Sequence, residues 1–167
     1  MYLRRYQNED LPELITLFKE TVHSVNAKDY SLEEIKAWTY SRTDFSEWDQ
    51  SLSEHYSFVA EENGVIVGFG DITLEGYLDR LFVHKDFQNK GVGTALCNLL
   101  EKQVNGPILT HASITAKNFF EKRGYRIIKE QKVVRNGVYF KKLCDAKVDK
   151  QKASRIYKRC CLRYCRV

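Results

Sequence analysis

No apolar run in this chain approaches the roughly 18 residues of a membrane span. The opening stretch MYLRRYQNED also has no signal-type apolar core. The expectation is a cytoplasmic protein without a membrane partner. The five cysteines include no C-x-x-C, which argues against a zinc ribbon or a thioredoxin-like site. Cys97 and Cys144 read as reduced thiols, and Cys160, Cys161 and Cys165 have no histidine motif beside them, so no metal is expected. There is no G-x-x-x-x-G-K-[ST] run, and hence no P-loop. There is no dinucleotide fingerprint either, because Gly91 and Gly93 are followed by Leu96 where a third small residue belongs. No internal repeat or interdomain linker divides the 167 residues, a length that favours one domain with one core.

Excess basic charge is missing from most of the chain. The net charge is +5, but residues 146–167 carry eight Lys and Arg against Asp149 alone, which leaves the remainder at −2. The expected organisation is a domain over 1–145 and a basic, cysteine-containing tail over 146–167, a disordered or helical extension. Tyr157 and Tyr164 in the tail allow base stacking. Basic tails are more often merely solvated, so nucleic acid is not the expected partner.

What is present centres on Leu78–Lys102. Tyr77, Leu78, Leu81, Phe82 and Val83 suit a buried strand. His84 to Phe87 form a polar loop. From Val92 the period changes: Val92, Ala95, Leu96, Leu99, Leu100 and Gln103 fall on one helical face. Gly91 and Gly93 therefore stand where a helix begins, and unpaired backbone N–H groups there attract anions, phosphate above all.

The other elements follow from local signals. Tyr2 to Tyr6 reads as a strand. Asp10 and Pro12 open a helix bearing Leu14, Ile15, Leu17, Phe18 and Val22. Ser31 and Glu34 form a capping box before a second helix with Ile35 and Trp38. Trp48 lies in a short helical or irregular piece. Ser57–Glu62 and Val65–Thr73 flank Asn63-Gly64, a hairpin turn, and Gly68 and Gly70 imply a bulge or a close backbone approach. Ile108–Ala112 reads as a strand and Thr115–Arg123 as a helix ended by Gly124. Tyr125–Val134 and Val138–Leu143 form a last hairpin around Arg135-Asn136-Gly137.

The segment Gln88-x-x-Gly91-x-Gly93 resembles the Q/R-x-x-G-x-G/A signature of the GNAT acetyltransferases. Ser113 to Tyr125, reading SITAKNFFEKRGY, resembles the family's N-x-x-A-x-x-x-Y-x-x-x-G-F segment. The resemblance covers about residues 1–144. It implies an α/β fold with a central mixed, mainly antiparallel sheet and helices on both faces. It also implies acetyl-coenzyme A as cosubstrate and an amine as acceptor, with direct transfer in a ternary complex. The residues expected to hold the cosubstrate are Phe82, Val83, Gln88, Asn89, Lys90, Gly91, Val92, Gly93, Thr94, Ser113, Lys117 and Phe120. A backbone N–H near Val83 would polarise the thioester carbonyl.

Asp79 is the candidate base, expected on the strand face of Leu81 and Val83; its other reading is a salt bridge to Arg80 or Arg126. Many family members carry this acid two residues earlier, where this chain has Tyr77. The family's usual acid, a tyrosine, is replaced by Phe120, and its asparagine by Ser113. Tyr139 is the candidate substitute acid, with Tyr125, Tyr77 or water as alternatives; the other reading of each tyrosine is core packing. Acceptor contacts are expected from His23, Tyr30, Trp38 and His111, with Asn26 and Trp48 nearby. The acceptor is a primary amine on a small molecule or peptide, and a homodimer fits the reading. The alternative is a non-catalytic module that senses acetyl-coenzyme A.

Overall fold

The structure, a computed structural model, describes residues 1–40, 44–135 and 137–147. Cys160, Cys161, Cys165, Tyr157, Tyr164 and Asn136 lie outside the described residues.

Strand β1 (Tyr2–Arg5) leads into three helices, α1 (Leu11–Ser24), α2 (Leu32–Tyr40) and α3 (Phe45–Glu54). Strands β2 (Tyr56–Glu62), β3 (Val65–Ile72) and β4 (Tyr77–Val83) follow, then helix α4 (Val92–Glu101), strand β5 (Ile108–Ser113), helix α5 (Lys117–Lys122) and the pair β6 (Arg126–Arg135) and β7 (Val138–Lys147). The seven strands form one sheet in the order β1-β2-β3-β4-β5-β7-β6. Every pairing is antiparallel except β4 with β5. This is the expected fold class.

Local chemistry explains most boundaries. At the start of α2, Ser31 Oγ accepts from the Glu34 N–H at 3.2 Å, and Glu34 Oε2 accepts from the Ser31 N–H at 2.7 Å. The turn between β2 and β3 places Asn63 and Gly64 at φ 51° and 79°, as a two-residue hairpin requires. Asp10 does not cap α1 with its side chain, contrary to the sequence expectation. Its two oxygens instead accept from Arg4 at 2.7 and 2.8 Å, and Oδ2 also from the Gln7 N–H at 2.9 Å. The Trp48 segment is a full helix, because Asp44 Oδ1 accepts from the Glu47 N–H at 2.9 Å and fixes its first turn. Strand β7 runs to Lys147, beyond Leu143, because β5 continues to pair with it as far as Ile108 opposite Lys147.

Helices cover both faces. Helices α1 to α3 bury Leu14, Phe18, Trp38 and Trp48 against Val59 and Phe69. On the other face α4 and α5 bury Val92, Leu96, Leu100 and Phe120 against Ala60, Val67 and Leu78. Helix α4 comes very close to β3. A Cβ on Gly68 would lie 2.9 Å from Val92 Cγ1, and one on Gly70 would lie 2.9 Å from the Arg80 carbonyl oxygen. The glycine pair thus permits this close approach.

Two irregularities make room for a site. The β3–β4 register passes from Asp71 opposite Arg80 to Ile72 opposite Leu78, so Asp79 is an extra, bulged residue. Strands β4 and β5 pair only at Tyr77–Leu109 and Leu78–Thr110. Beyond that point the sheet parts.

Candidate active site

The parted strands enclose a cleft of about 640 Å³. Its apex is the last strand pair, Leu78 with Thr110. Its walls are β4 on one side, β5 on the other, the start of α4 and the residues Asn118 to Phe120 of α5. Phe18, Trp38 and Trp48 close the side nearer α1 to α3.

The start of α4 has donors to spare. Its first internal bond runs from the Ala95 N–H to the Gly91 carbonyl at 2.9 Å, and no side chain caps the helix. The N–H groups of Val92, Gly93 and Thr94 therefore have no partner within the helix. Gly91 takes φ 84° with nothing within 4 Å of an added Cβ, so the left-handed backbone, not crowding, demands glycine there. A Cβ on Gly93 would stand 3.5 Å from Phe119 and 3.7 Å from Val83, both cleft residues, and would fill the cradle before the helix. These features fit a phosphate-bearing ligand.

Val83 faces the same space. The His84 N–H bonds the Val67 carbonyl of β3 at 2.9 Å, so strand alternation turns the N–H and C=O of Val83 the other way. Its carbonyl accepts from Gln88 Nε2 at 2.6 Å and from Thr21 Oγ1 at 3.2 Å. Gln88 thereby ties the glycine turn to the end of β4.

Asp79 is one end of a charged chain. Its Oδ2 lies 3.6 Å from Arg80 Nη1. Arg80 donates to Asp71 Oδ2 at 3.0 Å and to Ser51 Oγ at 2.8 Å, and stacks 4.6 Å over the Trp48 ring. Asp71 is fully buried, and its Oδ2 also meets His55 Nδ1 at 2.6 Å. Burial disfavours the charged imidazole of His55, but the hydrogen bond and charge of Asp71 prevail and hold its pKa above the ordinary value. The bulge corrects the expected face of Asp79. Leu78, Leu81 and Val83 pack toward α4, whereas Arg80, the partner of Asp79, lies against Trp48 of α3.

Most of the expected residues converge. Asp79, Phe82, Val83, Gln88, Asn89, Gly91, Val92, Gly93, Thr94, Ser113, Phe120, Trp38 and His111 all line the cleft. Five do not. Lys90 Nζ lies 4.9 Å over the Phe87 ring, and Lys117 begins α5 outside the cleft wall. His23 lies in a separate shallow groove with Lys36 and Thr39. Tyr30 is a strut: its hydroxyl accepts from the Ile114 N–H at 2.9 Å and donates to the Lys141 carbonyl at 3.2 Å, and burial pushes its pKa up to about 12. Tyr139 is 67% exposed beside the β6–β7 turn, opposite Val134 and away from the cleft.

Sequence reasoning missed the role of Asp71, His55 and Thr110. The available signal was Asp71 itself, an acid inside the apolar strand VIVGFGDI. Such a residue needs a buried partner.

The comparisons with known proteins agree with this geometry. Residues 26–143 match the model of the acetyltransferase (GNAT) domain. The chain is 36% identical over 138 residues to the uncharacterized N-acetyltransferase YafP of Escherichia coli, covering 83% of this chain and 89% of that one. Among solved structures, a GCN5-related N-acetyltransferase from Rhodopseudomonas palustris superposes with a TM-score of 0.84 at 31% identity, over 89% of this chain and 95% of the other. The PaiA N-acetyltransferase of Thermoplasma acidophilum, solved with coenzyme A, shares the fold with a TM-score of 0.72 at 16% identity, over 89% and 98% of the two chains. The chain belongs to the GNAT acetyltransferase family and is an enzyme of the N-acetyltransferase class.

Proposed function

We propose that this enzyme moves an acetyl group from acetyl-coenzyme A directly to a primary amine of a small molecule or peptide, both being held in the cleft at once. The observation that carries the reading is the coincidence of three features at one opening: uncapped N–H groups on α4, an outward-turned Val83 N–H, and an acid at the apex. Acetyl-coenzyme A would supply the activated thioester. The N–H groups of Val92, Gly93 and Thr94 would hold its pyrophosphate, with Lys122 adding charge at the same cleft. The Val83 N–H would stabilise the oxyanion as the carbonyl is attacked.

An acceptor amine with a pKa of about 10.4 is mainly protonated near neutrality. Asp79 would remove that proton, directly or through water, and Arg80 would keep the carboxylate in place. Trp38 and His111 line the acceptor side in this reading. Among the described residues no helix is long and apolar enough to cross a membrane, and a cytoplasmic location belongs to the same proposal.

Two measurements test it. Saturating acetyl-coenzyme A should raise the melting temperature, since a ligand at 100 times its Kd stabilises by about 2.7 kcal/mol. Thiol release should then depend on an added amine. A non-catalytic sensor predicts the first result without the second.

A further inference from the structure

The cleft is unevenly charged. Among the described residues that line it, Asp79 is the one acid, while Lys28, Arg80, Lys122 and Lys142 are basic. Arg80 is engaged by Asp71 at 3.0 Å and by Asp79 at 3.6 Å. Lys122 ends α5, in the same layer as α4 and its uncapped N–H groups. Lys28 and Lys142 remain.

Strand alternation places these two on the other side of the sheet. Ile108 and Ala112 pack with α4, so His111 and Ser113 face the layer of α1 to α3. Lys142 of β7 stands directly across from Ser113 and shares that face. Its Nζ lies 5.3 Å over the ring of Trp38, a core residue of the α1 to α3 layer. Tyr30 braces that ring edge-on, with centroids 5.4 Å apart. The turn Asn26–Lys28 reaches the same corner, because Asn26 Nδ2 donates to Ser113 Oγ at 3.5 Å and to Thr115 Oγ1 at 3.1 Å. Asp29, next to Lys28, is exposed and outside the cleft wall. The corner therefore offers two ammonium groups beside an indole, on the face away from the phosphate seat of α4.

We infer that the acceptor is an amine that also carries an anionic group, a carboxylate or a phosphate, which Lys142 and Lys28 hold while its apolar body lies along Trp38. The inference rests on the proposed seating of both substrates in this cleft. Lysine donates charge-assisted hydrogen bonds to either anion, and a cleft lined by one sign of charge concentrates ligands of the other. The same lysines repel a polyamine, whose second ammonium would find no acid here. Asp79 adjoins the apex pair of Leu78 and Thr110, and Ser113 lies three residues further along β5, about 10 Å. Amine and anion are thus separated by a ring or several carbons, not by one carbon as in an α-amino acid.

The test is a matched set of acceptors: 4-(aminomethyl)benzoate, 4-(aminomethyl)phenyl phosphate, the neutral 4-(aminomethyl)benzamide and the dication p-xylylenediamine. With acetyl-coenzyme A saturating, kcat/KM for the better anion should exceed that for the amide by about tenfold or more, with the diamine last. The preference should shrink as salt rises. Whichever anion leads identifies the group as carboxylate or phosphate. Lys142→Glu and Lys28→Glu should each lower kcat/KM for the anions and raise it for the diamine, with the melting-temperature shift given by acetyl-coenzyme A retained as proof of a folded cosubstrate seat. Equal or better turnover of the amide or the diamine by wild type would overturn the inference and leave acetyl transfer standing. So would a preference for anions that both variants keep. If no amine is acetylated, calorimetric titration of the two anions into protein saturated with coenzyme A decides. Binding that Lys142→Glu abolishes upholds the anion site and counts against acetyl transfer to these amines, and absence of binding overturns the inference.

Discussion

Asp79 occupies the point where a strand bulge, a buried arginine and an open cleft meet. In its proposed role as the base, Asp79 acts as the carboxylate, so the rate should fall toward acid pH. Asp79→Asn should lower kcat by about 100-fold or more and remove that acidic limb from the pH profile. A profile that keeps the limb would assign it to another group. His55 makes a different prediction. Its pKa is raised in the folded protein by Asp71, so its contribution to stability is full below the unfolded value of about 6.5 and is lost as pH rises through the folded value. The stability difference between wild type and His55→Gln, read from denaturant midpoints, should therefore be larger at pH 5.5 than at pH 9. These side chains were only partly legible in the sequence. Asp79 could be singled out, but its face could not, because the two-residue period of a strand fails at a bulge. The Lys147–Glu101 pair was hidden because the predicted strand stopped at Leu143.

The elements were more legible than the side chains they carry. The glycine turn, the Ser31–Glu34 box and the Asn63-Gly64 hairpin each have a local cause, and local causes are written in neighbouring residues. The cleft has no such cause. It arises where β4 and β5 pair at two positions, Tyr77 with Leu109 and Leu78 with Thr110, each 32 residues apart in sequence, and then separate. The turn before α4 gives the prediction at this scale. Gly91→Ala forces a Cβ onto a left-handed backbone at a cost of about 1–2 kcal/mol, with no steric clash to add to it. The variant should fold and should lose much of the melting-temperature shift given by acetyl-coenzyme A. Gly68→Val is predicted to do worse, since even its Cβ would stand 2.9 Å from Val92 Cγ1. A Gly68→Val protein as stable as wild type would mean that α4 sits further from the sheet than described.

At the scale of the whole molecule, the proposed catalytic features belong to the sheet and its helices, while the net positive charge comes from beyond Lys147, where seven Lys and Arg stand against Asp149 alone. A chain ending at Lys147 keeps all of β7 and the Lys147–Glu101 pair at 2.8 Å. It should bind acetyl-coenzyme A with an unchanged melting-temperature shift, and loss of binding would place part of the site in residues 148–167. The two-sided core is what holds the split sheet: aromatic packing of Phe18 on Trp48 and Phe82 on one face, and α4 locked against Gly68 and Gly70 on the other. The central claim is that this split sheet brings a thioester and an amine together. The most direct test is release of coenzyme A thiol from acetyl-coenzyme A across a panel of primary amines, run with wild type and Asp79→Asn. The account predicts release that depends on the amine and collapses in the variant. Release that is the same with and without an amine, or that is equal in the two proteins, would contradict it.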